Sequence, residues 1–330
     1  MKNVHFLSSR RLGLACVMAT LAAVLPLQAL SQVYPAKPVK VLVGFTAGGA
    51  VDLIARSVGQ VMQASLGQPI VVENKPGAGT NIAMKALIDA PPDGYTLMLT
   101  ANSIAANPAL YKPAPFDPEK DVAPVALVGR VPVVIAANAA SPYTSVAQLI
   151  QAAKGKPNTI AYGSPGNGAT PHMAMEFFTR AAGVDLQHIP YKGGSQAITD
   201  AIGGQIPLVA VNALEVLPHV KSGKLRVIAV LSPNRSSIYP DVPTIAESGF
   251  PGFEASVWYG FIAPAATPKA VVERLHAEVE KALQNPEVRA RLANAGGEVL
   301  PGTTEQFAAL IRAERVRYEK LVREANIKPD

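Results

Sequence analysis

Five times between Val39 and Ile202 the chain repeats the same three steps: an apolar or β-branched run, a short loop rich in glycine or serine, and then residues at helical spacing. The loops are Thr46-Ala47-Gly48-Gly49, Pro76-Gly77-Ala78-Gly79-Thr80, Thr100-Ala101-Asn102-Ser103, the stretch from Gly163 to Thr170, and Tyr191-Lys192-Gly193-Gly194-Ser195. Continuous apolar runs suit strands buried on both faces, which is the situation in parallel sheets. Strands alternating with helices are joined by right-handed crossovers. The fold class is therefore α/β.

The individual segments follow from periodicity. Val39–Phe45, Pro69–Glu73 and Thr96–Thr100 read as strands, and Val51–Leu66 as a helix with apolar residues at Val51, Ile54, Ala55, Val58, Val61 and Met62. A short helix follows Asn81, and Pro91-Pro92-Asp93-Gly94 is a turn. Val122–Ala137 gives two apolar strands broken at Gly129–Pro132, and a helix starts at Ser145 with Ser145 or Thr144 as its cap. Strands at 159–162, 188–190, 208–211, 225–231 and 258–262 alternate with helices at 172–182, 195–202 and 214–222. Three helices, 267–284, 286–295 and 303–325, close the chain, the first with Pro268 in its opening turn. No long linker or charge block separates these segments, so two lobes would be joined within the strands. The runs near 132–137 and 257–262 are the expected crossings, which gives one lobe of 32–136 plus 258–330 and a second of 137–257.

Residues 1–31 carry the order of an export signal: Lys2, Arg10 and Arg11, then an apolar stretch from Leu12 to Leu27, then Ala29-Leu30-Ser31 before a new start at Gln32. Ser9-Arg10-Arg11-Leu12 is a partial match to a twin-arginine signal. Cys16 is the only cysteine and would leave with the signal, so the remaining chain has no disulfide or thiol chemistry. Removing the three leading bases lowers the formal charge from +6 to +3. That balance, without basic clusters, excludes a nucleic-acid signature.

At the carboxyl ends of strands in an open α/β sheet, helix N-termini present unpaired N–H groups and a partial positive charge, and glycine lets the backbone come close. Such loops bind an anion without a cationic side chain. Catalytic patterns are incomplete by comparison. No Gly-Lys-Ser/Thr follows a glycine loop, and Pro76–Ile82 ends before a dinucleotide fingerprint is complete. Ser164 lacks the glycine two residues earlier that a nucleophile elbow needs. His172 and Glu176 stand four apart on a helix, too few ligands for a metal. The expectation is no cofactor, no metal and no catalytic residue.

The ordered set of loops resembles one family, the substrate-binding receptors of tripartite tricarboxylate transporters, or Bug-type periplasmic receptors. The matching text is Tyr34-Pro35-x-Lys37-Pro38, Val43-Gly44-Phe45-x-x-Gly48-Gly49-x-x-Asp52-x-x-Ala55-Arg56, Val72–Gly79, Pro92–Leu97 and Asn107-Pro108-x-Leu110-Tyr111. In the second half it is Gly163-Ser164-x-Gly166-x-Gly168-x-x-x-His172-x-Ala174-x-Glu176, Pro190–Gly193 and Gly249–Phe253. The resemblance implies a type II periplasmic-binding-protein fold, two α/β lobes with a two-stranded hinge, closing on a small mono- or dicarboxylate, with amino or aromatic substituents open. It implies a membrane permease of large and small subunits as partner, a periplasmic location and a monomer. By position it places Phe45, Ala47, Gly48, Gly49, Gly79, Thr80, Ser103 and Asn107 on the ligand from lobe one, and Ser164, Gly166, Thr170 and Asn212 from lobe two. Asp52 is expected to order the first loop and its helix. Thr80 stands where the family has Gly, and Pro207 where it often has Asp. The alternatives are an exported α/β hydrolase using Ser164, and a receptor feeding a sensor.

Overall fold

The computed structural model describes residues 34–294, 296–325 and 327; the export-signal reading, including Cys16, lies outside the described residues. The first half opens with β1 (Val39–Val43), buried except at Lys40, and α1 (Ala50–Leu66), whose chain is stopped by Gly67 in the left-handed region. β2 (Ile70–Asn74), α2 (Asn81–Ile88), β3 (Thr96–Thr100) and α3 (Ser103–Leu110) follow. β1 pairs in parallel with both β2 and β3, as the βαβ alternation requires.

β4 (Val122–Asn138) is a single strand of 17 residues, where the sequence suggests two. Register shifts at Pro124/Ala126 and Leu127/Gly129 absorb the residues that look like breaks. Gly129 is needed for a different reason: a Cβ there would meet the Glu298 carbonyl oxygen of a short neighbouring strand at 2.4 Å. β4 then changes partners. As far as Pro132 it pairs with β9 (Ser256–Pro264), and from Val133 it pairs with β7 (Leu208–Asn212) and β8 (Leu225–Val230). The change falls at Pro132/Val133.

The second half adds α4 (Val146–Ala153), β5 (Ala161–Ser164), α5 (Thr170–Ala182), β6 (Gln187–Pro190), α6 (Gly194–Ile202) and α7 (Ala213–Lys221). β5 pairs in parallel with β6 and β7. The strand orders β2-β1-β3-β9-β4 and β6-β5-β7-β4-β8 are therefore the same pattern: three parallel strands, an antiparallel strand arriving from the other half, and a last strand. The return crossing is the stretch from Leu231 to Ala255. Leu231 donates its N–H to the Val133 carbonyl, and Ala255 donates to the Leu231 carbonyl, both at 2.8 Å, so the two crossings are bonded to each other. Residues 257–262 lie inside β9, paired with β3 and β4 in the first half.

α8 (Lys269–Gln284) and α9 (Pro286–Asn294) pack on α1 and β4, β10 (Glu298–Val299) adds an edge pair to β4, and α10 (Thr304–Ala325) packs along α3 and β4. Gly260 makes room for α10, since a Cβ there would reach the Phe307 ring at 2.2 Å. Leu42, Met98, Trp258, Ile262 and Phe307 share one apolar core; Val134, Ile198, Val209, Val211 and Val227 share another. Each half thus removes its own apolar surface from water, which lets the space between them be lined by loops.

Candidate functional site

The loops after the parallel strands of both halves face one crevice, and there the halves touch. Thr46 donates its N–H to the Lys192 carbonyl at 3.3 Å, its hydroxyl lies 3.2 Å from that of Ser195, and the Ala50 N–H reaches Oε1 of Glu215 at 3.4 Å. Glycines make this approach geometrically possible. A Cβ at Gly193 would lie 2.0 Å from the Thr46 hydroxyl, and one at Gly79 would lie 2.3 Å from the Asn167 carbonyl.

Two adjoining cavities lie along the crevice. The smaller, ≈ 20 Å³, is walled by Phe45, Gly49 and Ser103 from the first half and Thr170, Asn212 and Glu215 from the second. The larger, ≈ 320 Å³, is walled by Phe45, Gly79 and Thr80 with Gly166, Tyr191 and Lys192. The N-termini of α1, α5 and α6 border the smaller one at Gly49–Val51, Ala169–Pro171 and Gly194; none of their N-cap residues makes a side-chain cap, although Glu215 takes the first N–H of α1. α4, which does not border the crevice, is capped in the ordinary way, Ser145 accepting from the Gln148 N–H. Uncapped N–H groups at the crevice leave donors and positive dipole ends free for an anion.

Of the twelve residues expected at the ligand, Phe45, Gly49, Ser103, Thr170 and Asn212 line the smaller cavity, and Gly79, Thr80 and Gly166 the larger. Ala47 and Gly48 stand on the same loop outside both cavity walls. Asn107 is on α3 and not on the loop before it; it donates to the Gly79 carbonyl and to Oδ1 of Asn81, both at 2.7 Å, and so fixes the glycine loop from behind. Asp52 accepts from the Gly48 N–H at 3.0 Å, from both Arg56 and Asn74, and does not face the ligand side. Burial would raise its pKa, but the bonds from Arg56, Gly48 and Asn74 outweigh that and hold it below the usual carboxylate range.

Ser164 is turned away from the crevice. It is 0% exposed, its Oγ accepts from the Gly166 N–H at 3.1 Å, and it lies 2.6 Å from Nε2 of His188. His188 stacks on His172 with ring centroids 4.1 Å apart. His172 accepts the Gly168 N–H at Nδ1, 3.2 Å, so its proton is on Nε2, 3.8 Å from Glu176. Burial lowers the His172 pKa to about 4; burial and then the neighbouring His172 lower His188 to about 2. These are neutral rings holding a loop in shape. The hydroxyl–imidazole contact has the reach of a nucleophile and its base, and Ser164 is not among the residues walling either cavity. No group of three or more metal-ligating side chains occurs among the described residues.

Sequence reasoning missed Glu215, Tyr259, Pro165 and Ala169, all on the smaller cavity's wall. Glu215 is the sharpest omission. At the first turn of α7 an acid reads as a surface partner for the helix dipole. Its carboxylate is instead buried, with Oε1 accepting from Asn212 Nδ2 at 2.7 Å and Oε2 without a partner. Burial raises its pKa against the bonds from Asn212 and Ala50.

Comparison with known proteins agrees with this architecture. A sequence model of the family described as tripartite tricarboxylate transporter family receptor matches residues 54–327. Protein BugT of Bordetella pertussis is 36% identical over 297 residues, 89% of this chain and 91% of that protein. The structure of the periplasmic binding protein BugD superposes with a TM-score of 0.86 at 34% identity, covering 90% of this chain and 100% of that one. MatC from Rhodopseudomonas palustris with bound malate superposes with a TM-score of 0.84 at 31% identity, covering 88% and 100%. With its two like-ordered sheets, paired crossings and matched sequence, this chain has the type II periplasmic-binding-protein fold and belongs to the tripartite tricarboxylate transporter receptor family of solute-binding proteins.

Proposed function

We propose that this receptor captures a small carboxylate outside the cytoplasm by closing two lobes on it, and delivers it to a membrane permease of large and small subunits. The observation that carries the reading is the meeting of three helix N-termini from both halves, none capped by its own N-cap side chain, around one crevice. The malate bound by MatC supports a carboxylate as the ligand class. On this reading the lobes divide where β4 changes partners and at Leu231–Ala255, and the export signal ends before Gln32. No helix among the described residues is long and apolar enough to cross a membrane.

A cavity of ≈ 20 Å³ holds about one water. A carboxylate therefore enters by parting the halves and is enclosed by contacts made only when they return. A thermal-shift screen of the chain from Gln32 onward against mono-, di- and tricarboxylates, amino acids and aromatic acids tests this. Ligand at ~100 times Kd adds ~2.7 kcal/mol, a rise of several degrees in Tm, and small-angle scattering should show compaction with the same compound. A blank screen, together with no small acid released from the denatured protein in mass spectrometry, would sink the reading.

A further inference from the structure

The smaller cavity is lined in an unexpected sense. Its described lining residues include one carboxylic acid, Glu215, and no basic side chain. Its Oε1 is occupied by Asn212 and by the Ala50 N–H, while Oε2 is buried and bonded to nothing. Three more atoms on the same wall are in that condition: Oγ1 of Thr170, a residue 3% exposed, Oδ1 of Asn212, 5% exposed, and the hydroxyl of Tyr259, 0% exposed. Glu215 pushes the Tyr259 phenol pKa further up than burial alone, so the two groups are within electrostatic reach of each other. Gly194 leaves the space the carboxylate occupies, since a Cβ there would lie 1.8 Å from Oε2.

What the Glu215, Asn212 and Tyr259 atoms can accept identifies what is missing. The Asn212 amide already points its NH2 at Glu215, so it offers only an oxygen; Glu215 offers an oxygen; the phenol accepts as readily as it donates. A buried acceptor with no donor costs about 1–3 kcal/mol, more when charged. A plain dicarboxylate makes this worse, bringing acceptors to acceptors and a second negative charge to a buried acid. A primary ammonium brings three N–H donors and a positive charge to the Glu215, Asn212 and Tyr259 acceptors, while the Thr170 hydroxyl can itself donate or accept.

We propose that Glu215, with Asn212 and Tyr259, forms an ammonium subsite, so that the captured carboxylate belongs to an amino acid or another zwitterion with a primary amine. The inference rests on the receptor reading: the helix N-termini take the carboxylate, and the Glu215 corner takes the amine. Glu215 is a specificity-determining residue, and Asn212 holds its carboxylate in place.

The test is calorimetric titration of the wild-type chain with matched pairs that differ only by the amine: aspartate and succinate, glutamate and glutarate, phenylalanine and 3-phenylpropanoate. The expected result is one pair in which the amino member binds at least about tenfold tighter. Glu215→Gln, which keeps the volume and both Oε1-side bonds, should remove most of that preference, weakening the amino member while leaving its deaminated partner unchanged or tighter. The wild-type comparison stands whether or not the variant folds, and the variant's melting curve reports on that separately. If the plain acid binds as well as its amino partner, the ammonium subsite is wrong and the receptor reading stands. If Glu215→Gln tightens both members alike, Glu215 is a carboxylate stand-in that closes the halves, and the proposal falls. If folded protein binds neither member of any pair and the wider acid screen is also blank, the receptor reading falls and takes this one with it.

Discussion

The two halves repeat one strand order but furnish the crevice differently. From the first half come glycines, the start of α1, Phe45 and Ser103; its charges at Asp52, Arg56 and Glu73 are paired with one another or with Lys40 and Lys75. From the second half come buried polar groups that are either bound into a network, as in Ser164, His188 and His172, or left with a free acceptor, as in Asn212 and Glu215. Tyr259 on β9 is the first half's one comparable contribution. Backbone N–H groups recognise an anion without asking what else the molecule carries, whereas fixed side-chain acceptors discriminate, because a wrong partner leaves them unpaired. On the proposed function, both halves supply generic attraction through the starts of α1, α5 and α6, and most of the selecting side chains come from the second.

The largest effect that would break this division comes from holding the halves apart. Gly193 has extended backbone, so Gly193→Ala costs nothing in φ but sets a methyl 2.0 Å from the Thr46 hydroxyl. Relieving that overlap at about 1–3 kcal/mol should weaken ligand binding about 10–100-fold with little change in Tm, and Thr46→Gly on the other half should restore it. Unchanged affinity in the single variant would show that this contact is not part of closure.

Acid should separate the halves next. His172 has its pKa lowered by burial to about 4, so the unfolded chain binds more protons below pH 6.5 and stability falls as pH drops from there towards 4. By pH 5 the loss from His172 is about 2 kcal/mol, with His188 acting in the same direction. Hydrogen exchange at pH 5 should show α5 and β6 opening before β1–β3. His172→Gln should flatten the pH profile of Tm, and equal loosening of both halves would count against the argument.

The smallest effect sharpens what the first half does. Asp52→Asn keeps the Gly48 bond and loses the ion pair with Arg56, which is half exposed. A loss of about 1 kcal/mol in stability and less than about threefold in affinity is expected, since the carboxylate orders the loop and does not meet the ligand. A larger change in affinity than in Tm, read from paired calorimetry and melting curves, would move Asp52 into the site.

Legibility followed the range of the interactions. The buried run at Val39–Val43, the helix after Gly49 and the cap at Ser145 are decided within a few residues and were readable as such. So was the Asp52 anchor, four residues from its Gly48 partner. The continuity of β4 was not, because Gly129–Pro132 reads locally as a break while a bulge and a change of partner accommodate it. The sequence placed Ser164 in a glycine loop expected at the ligand, and only the packing of β6 beside β5 brings His188 to it.

By itself the sequence determined the α/β class, the glycine loops at strand ends and the family, because these depend on periodicity and on residue order. Only the tertiary structure decided which atoms the crevice holds unpaired. Asn212, Glu215 and Tyr259 come from β7, α7 and β9, and their exposure and bonding depend on how two halves meet, a distance no local pattern encodes. A helix-start glutamate is an ordinary surface residue until another chain segment closes over it; here that segment is Ala50 and Gly194, and the acid becomes part of the pocket wall.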